Sequence, residues 1–225
     1  MDVNGTLTHS LVLNDITKRY GQGPAVLSDL SYSFNPGSAT GLIGPNGSGK
    51  TTLLRLLSVS SFPTGGSIMY GDLDVNRSPY KYLGYVGIVH DVASLPQYMT
   101  AVELLEYVVR GRSKWTAHSD GDIDNLLNTL YLDDRRNNLI GTYSSGMLKK
   151  TQIAAALIAN PRVLLLDEPF RGLDTESLRA AIDLLQTFKA NGAVTVVSSH
   201  RRDVLDELCE EFLSLESTPP VTEPE

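Results

Sequence analysis

The sequence predicts an α/β fold with a mostly parallel sheet covered by helices, and three observations predict it. Short apolar runs alternate with longer helical patterns along most of the chain. One such run, Ala39 to Ile43, leads into a glycine-rich turn and then a helical pattern. Another, Val163 to Leu166, is wholly apolar and ends in two carboxylates, Asp167 and Glu168.

Taken in order, Leu11 to Thr17 and Ser67 to Tyr70 alternate between turn residues and read as strands of an antiparallel portion. Ala39 to Ile43 is a strand, and a helix runs from Lys50 to Ser58. Gly84 to Val89 is a further strand. Thr100 followed by Glu103 is a capping box, opening an amphipathic helix that reaches Arg110. Asp122 to Leu130 has helical spacing. Ser144 precedes a helix whose apolar face includes Met147, Ile153, Ala154 and Leu157, stopped by Asn160 and Pro161. Thr175 to Asn191 is a helix closed by Gly192, and Ala193 to Ser198 is the next strand. The stretch 92–160 is mainly helical and interrupts the α/β pattern. Trp115 and the Arg110-Gly111-Arg112 cluster read as a solvated connection. Ser217 to Glu225, with its prolines and acids, reads as a disordered tail.

The 225 residues, 41% of them apolar, suffice for one large core or two closely joined subdomains. A net charge of -7 argues against a nucleic-acid partner held on a basic face, while leaving room for a local basic pocket. The single cysteine, Cys209, permits no internal disulfide and suits a reducing compartment. It reads as a buried small hydrophobe and not as a nucleophile. Residues 1–10 are polar and lack the pattern of a secretory signal. No run approaches the ~20 apolar residues that span a bilayer. Work at a membrane would therefore need other chains to do the spanning.

The turn after Ala39 to Ile43 reads Gly44-Pro45-Asn46-Gly47-Ser48-Gly49-Lys50-Thr51 and fits G-x-x-x-x-G-K-[ST] between a strand and a helix. Glycines at these places let successive N–H groups turn inward around a phosphate with no side chain in the way. The helix behind them aims its positive end at the same anion. Lys50 adds a point charge between β- and γ-phosphates, and the Thr51 hydroxyl suits Mg²⁺; Thr52 follows in the same cradle. At the other apolar strand, Asp167 and Glu168 sit at the C-terminal tip, where open α/β sheets bind ligands. Asp167 suits a Mg²⁺ contact, and Glu168 is placed to polarise an attacking water.

Ahead of that strand, Tyr143-Ser144-Ser145-Gly146-Met147 resembles the L-S-G-G-Q signature of ABC ATPases. It is closer still to the Y-S-x-G-M form found in ATPase subunits of the ABC-2 exporter type. Gly172-Leu173-Asp174 resembles a D-loop, His200 the switch histidine, and Tyr20 in Lys18-Arg19-Tyr20-Gly21 the aromatic that stacks on adenine. The resemblance covers residues 10–215. It implies a P-loop NTPase: a RecA-like core, an N-terminal antiparallel β subdomain and an inserted helical subdomain, forming one domain over 10–216. It further implies ATP and Mg²⁺ as ligands and a head-to-tail dimer, homo- or heteromeric. In that dimer Ser144, Ser145 and Gly146 of one copy receive the γ-phosphate held by the other. Glu168, His200 and Lys50 would be catalytic. Multi-span transmembrane permease subunits would be the partners, which puts the chain in the cytoplasm, peripheral on the inner face of the cell membrane.

His200 also reads as an ordinary surface histidine, Tyr20 as the cap of a hydrophobic edge, and Asp174 as an N-cap for the helix that follows. Members of the family usually carry a glutamine after the strand read here as Gly84 to Val89. Its place falls at Asp91, beside His90, which makes Asp91 a third candidate metal ligand and adds negative charge near a triphosphate. The expected activity is ATP hydrolysis that drives export. The alternative is a soluble ABC ATPase acting in cofactor or complex assembly.

Overall fold

The computed structural model describes residues 9–92 and 94–215. The expected tail at 217–225 lies outside the described residues. In chain order the elements open with β1 (Leu11–Arg19), β2 (Ala25–Phe34), β3 (Ala39–Ile43), α1 (Lys50–Leu57), β4 (Gly65–Tyr70), β5 (Leu73–Asp74), α2 (Pro79–Leu83) and β6 (Val86–Val89). There follow α3 (Ala101–Gly111), α4 (Ser119–Thr129), α5 (Ser145–Leu157), β7 (Val163–Asp167), α6 (Thr175–Ala190), β8 (Val194–Ser198), α7 (Arg202–Leu208) and β9 (Glu211–Ser214).

Two sheets result. One has the order β2-β1-β4-β5 and is antiparallel; the other has the order β6-β7-β8-β3-β9 and is parallel throughout. The central parallel strands β7 and β8 are mostly apolar and wholly buried because both their faces are covered. Along β7, Val163 and Leu165 point into a core shared with α1 and the antiparallel sheet. Leu164 and Leu166 point the other way, into a core built with α3, α4, α5 and α6. In β8, Val196 and Val197 divide in the same manner.

The predicted elements form with small shifts at their ends. The capping box on α3 is complete: the Glu103 N–H donates to Thr100 Oγ1 at 3.2 Å, and the Thr100 N–H to Glu103 Oε2 at 2.8 Å. The helix predicted after Ser144 is buried on more sides than one apolar face requires. Lys149, Lys150, Thr151 and Gln152 are all buried, and Lys150 Nζ reaches the Tyr131 carbonyl at 3.0 Å.

The strand predicted at Gly84 to Val89 is shorter than expected, because α2 and its Gly84 cap occupy its beginning. Of the cluster expected as a solvated connection, Arg110 and Gly111 are exposed, whereas Arg112 and Trp115 are half-buried. Arg110 stacks 3.6 Å from the Trp115 ring centroid, and Arg112 donates to the Val86 carbonyl at 2.6 Å, pinning the end of α3 to the start of β6. Cys209 is buried, and burial pushes its thiol up to about 12, so it is no nucleophile at neutral pH.

Candidate functional site

Because β3, β6, β7 and β8 run parallel, their C-terminal ends emerge on one edge of the sheet. The loops that leave them bring together the P-loop, His90 and Asp91, Asp167 and Glu168, and His200. Between these loops lies a cleft of about 310 Å³ whose lining includes Lys50, Thr51, Asp91, Asp167, Glu168 and His200. Asn46, Gly47, Gly49 and Thr52 line it as well.

The P-loop takes a shape that only glycine permits at its turning points. Gly44 has φ 145°, and a Cβ there would stand 2.3 Å from the Leu215 carbonyl oxygen and 2.6 Å from Ser48 Oγ. Ser48 is buried, and its Oγ has no hydrogen-bond partner among the described residues. Lys50 Nζ donates to the carbonyls of Gly44 (2.7 Å) and Pro45 (2.9 Å), so the ammonium lies folded along the loop. The N–H groups at the start of α1 open onto the same cleft. This donor set fits a phosphate chain, and Thr51 with Asp167 supplies the hard oxygens a divalent cation takes.

Asp167 and Glu168 are both buried. Ser198 organises them: its hydroxyl donates to Asp167 Oδ1 at 2.6 Å, and its carbonyl accepts from the Glu168 N–H at 3.1 Å. Glu168 has φ 48°, a left-handed conformation that a side chain adopts at a cost of about 1–2 kcal/mol. The turn this makes swings its carboxylate out of line with β7 and toward His200. The His200 N–H reaches Glu168 Oε2 at 3.3 Å, and His200 Nε2 lies 3.6 Å from Oε1. Burial raises the Glu168 carboxyl above its ordinary value, against the opposing influence of His200 and Arg171. A carboxylate made more basic in this way is better suited to accept a proton.

Asp91 also lines the cleft, but it is already engaged. Arg171 Nη1 lies 2.6 Å from Asp91 Oδ1, an ion pair not aligned as a hydrogen bond. The backbone on either side is held from α5, where Lys149 Nζ donates to the carbonyls of His90 (2.7 Å) and Asp91 (2.9 Å).

Tyr20 stands apart, at the rim. Its ring is about half exposed, Lys18 Nζ sits 4.8 Å from the centroid, and contact with the Thr52 hydroxyl holds the phenol below its ordinary pKa. Pro45 accepts from the Ser48 N–H at 3.2 Å within the loop.

The signature residues are not among those that line the cleft. Ser144 caps α5, accepting from the Met147 N–H at 3.3 Å, and both it and Ser145 are exposed. Gly146 packs against Gly172 so closely that a Cβ would come 2.6 Å from the Gly172 carbonyl oxygen. Asp174 caps α6, accepting from the Ser177 N–H at 2.8 Å, and this bond holds its carboxyl below the ordinary range. Sequence reading missed Ser198 and Arg171. Ser198 was visible only as the last residue of a strand, and Arg171 only as a charge in a turn.

Residues 27–171 match the family model described as ABC transporter. The doxorubicin resistance ATP-binding protein DrrA of Mycobacterium tuberculosis (strain ATCC 25618 / H37Rv) is 31% identical over 210 residues, covering 92% of this chain and 63% of that protein. The Nod factor export ATP-binding protein I of Cupriavidus pinatubonensis is 32% identical over 204 residues, covering 90% of this chain and 62% of that protein. The chain thus spans about three fifths of the length of these two relatives. A solved structure of an ATP-binding subunit of an ABC transporter superposes with a TM-score of 0.86 at 25% identity, covering 92% of this chain and 87% of that one. The chain belongs to the ABC transporter family, as an ATP-binding subunit. Among the described residues no helix is long and apolar enough to cross a membrane.

Proposed function

We propose that the chain hydrolyses ATP as the motor subunit of an exporter, acting at the inner face of the membrane on separate multi-span permease subunits. The observation that carries this reading is the meeting of Lys50, Thr51, Asp167, Glu168 and His200 on one cleft. Lys50 and the P-loop amides hold the β- and γ-phosphates. Thr51 and Asp167 hold magnesium, whose charge offsets that of the phosphates. Glu168 orients a water and accepts its proton, and the side chain of His200 keeps that carboxylate and the γ-phosphate in register. Tyr20 gives the adenine a face to stack on.

The signature residues do not line the cleft, and Ser144 and Ser145 stand exposed on another part of the surface. This supports a head-to-tail pair, with a second ABC ATPase subunit placing its Ser144-Ser145-Gly146 turn on the γ-phosphate. Closure then follows nucleotide occupancy, because the triphosphate is shared between both copies and the diphosphate is not. Export, in preference to import, is supported by the Y-S-x-G-M form of the signature and by relatives named for resistance and for Nod factor export.

The test is phosphate release and size-exclusion chromatography on wild type and Glu168→Gln. Wild type should turn over ATP, and the variant should lose turnover while accumulating an ATP-dependent dimer. Full activity in the variant would remove Glu168 from the base position. Absence of any nucleotide-dependent dimer in the variant would remove the shared site.

A further inference from the structure

We infer that Arg171 is a positioning residue that neutralises Asp91 and thereby sets how strongly nucleotide binding depends on divalent cation. This rests on the ATP-binding reading of the cleft and adds a control of that same site.

The Arg171–Asp91 pair joins the loop after β6 to the turn after β7, across the mouth of the cleft. Both side chains line the cleft, together with Asp167, Glu168, Lys50 and Thr51. Three carboxylates therefore face one phosphate site. Asp167 is held by Ser198, and Glu168 is tuned by burial and His200. Asp91 is the third, and its neutraliser is the guanidinium 2.6 Å away.

A lone carboxylate facing a polyanion across a partly solvated cleft weakens its binding by about tenfold. It also raises the affinity of the pocket for a divalent cation, since added negative charge always does. Arg171 cancels both effects. With Arg171 gone, nucleotide without metal should bind poorly, and magnesium should restore most of the loss. With the Asp91 charge gone, Arg171 is released to attract phosphate, and nucleotide without metal should bind more tightly.

The pair contributes little to the fold. The Arg171 side chain is 56% exposed, and ion pairs at that exposure add little stability. Truncating it leaves no internal cavity. Thermal denaturation thus separates a positioning role, which leaves the melting temperature in place, from a structural one.

The experiment titrates a fluorescent ATP analogue into the full chain, once in chelator and once in saturating magnesium. The proteins are wild type, Arg171→Ala, Arg171→Lys, Asp91→Asn and the double variant Asp91→Asn/Arg171→Ala. Arg171→Ala should lose about tenfold in chelator and regain most of it in magnesium. Arg171→Lys should stay near wild type, Asp91→Asn should tighten in chelator, and the double variant should return toward wild type. Melting temperatures should coincide throughout. Equal losses for Arg171→Ala with and without magnesium would overturn the inference, as would a double variant that binds in chelator as poorly as Arg171→Ala does. If wild type binds the analogue and the variants match it, only this inference fails. If wild type binds under neither condition, the ATP-binding reading of the cleft fails with it.

Discussion

Ser198 Oγ donates to Asp167 Oδ1 at 2.6 Å in a buried environment, tying the end of β8 to the end of β7. The same residue's carbonyl accepts the Glu168 N–H. One serine therefore fixes the carboxylate proposed to hold magnesium and the backbone of the proposed base beside it. Ser198→Ala leaves a buried carboxylate oxygen short of its donor, a loss of about 1–3 kcal/mol. Chemical denaturation should show the lower stability. Turnover should need more magnesium, because Asp167 is no longer held in one rotamer.

Glu168→Gln should stabilise the fold at neutral pH, with a pH dependence whose sign is fixed by burial. The folded carboxyl titrates above its unfolded value, so burying the anion costs stability. That cost is absent below the unfolded pKa and grows as pH rises through the folded one. Calorimetry should find the glutamine variant melting higher than wild type at neutral pH, with the two converging in acid. A constant gap at every pH would assign the difference to something other than this ionisation.

Gly146→Ala places a methyl 2.6 Å from the Gly172 carbonyl oxygen, well inside contact distance. The signature turn or the turn after β7 must move, at about 1–3 kcal/mol. The melting temperature should fall by several degrees, on the order of 2–4 °C per kcal/mol. ATP-dependent dimer formation should weaken, while nucleotide binding to the monomer, measured by fluorescence, should be unchanged.

Tyr20 separates stacking from hydrogen bonding. Tyr20→Ala removes the ring and should cost nucleotide affinity about tenfold, within the roughly 1–3 kcal/mol of base stacking on an aromatic side chain. Tyr20→Phe keeps the ring, loses only the hydroxyl near Thr52, and should bind as wild type does. Equal losses in both variants would move the adenine elsewhere.

The parallel sheet and its phosphate loop were legible because their signals are local. Val163 to Leu166 is apolar without a break, Val194 to Val197 is interrupted only by Thr195, and the glycines of the P-loop have no purpose outside a tight turn. The strand Ala25–Phe34 was not legible, for a physical reason. Asp29 takes φ 47° and Asp15 φ 49°, each next to one member of the Ile16–Leu30 pair, so the pairing with β1 shifts register and the alternation of apolar residues is broken. Thr17 and Ser31 hydroxyls bond these two aspartates and close the irregularity. α7 and β9 were missed because each is short; α7 carries three acids among its seven residues, and β9 gains its place by pairing with β3. Lys50, Thr51, Asp167, Glu168 and His200 could be picked from sequence, since their order along the chain resembles the family's. Ser198 and Arg171 required coordinates, because their importance lies in what they touch.

Lys149 lies almost wholly buried, and its ammonium is hydrated, in effect, by two backbone carbonyls on the His90-Asp91 loop. Burial, with Arg171 adding to it, drives its pKa down, while the nearby carboxylates of Asp91, Asp167 and Glu168 support the charge. The ammonium therefore ties α5, the helix that begins at the Ser144 turn, to the loop that carries Asp91 into the cleft.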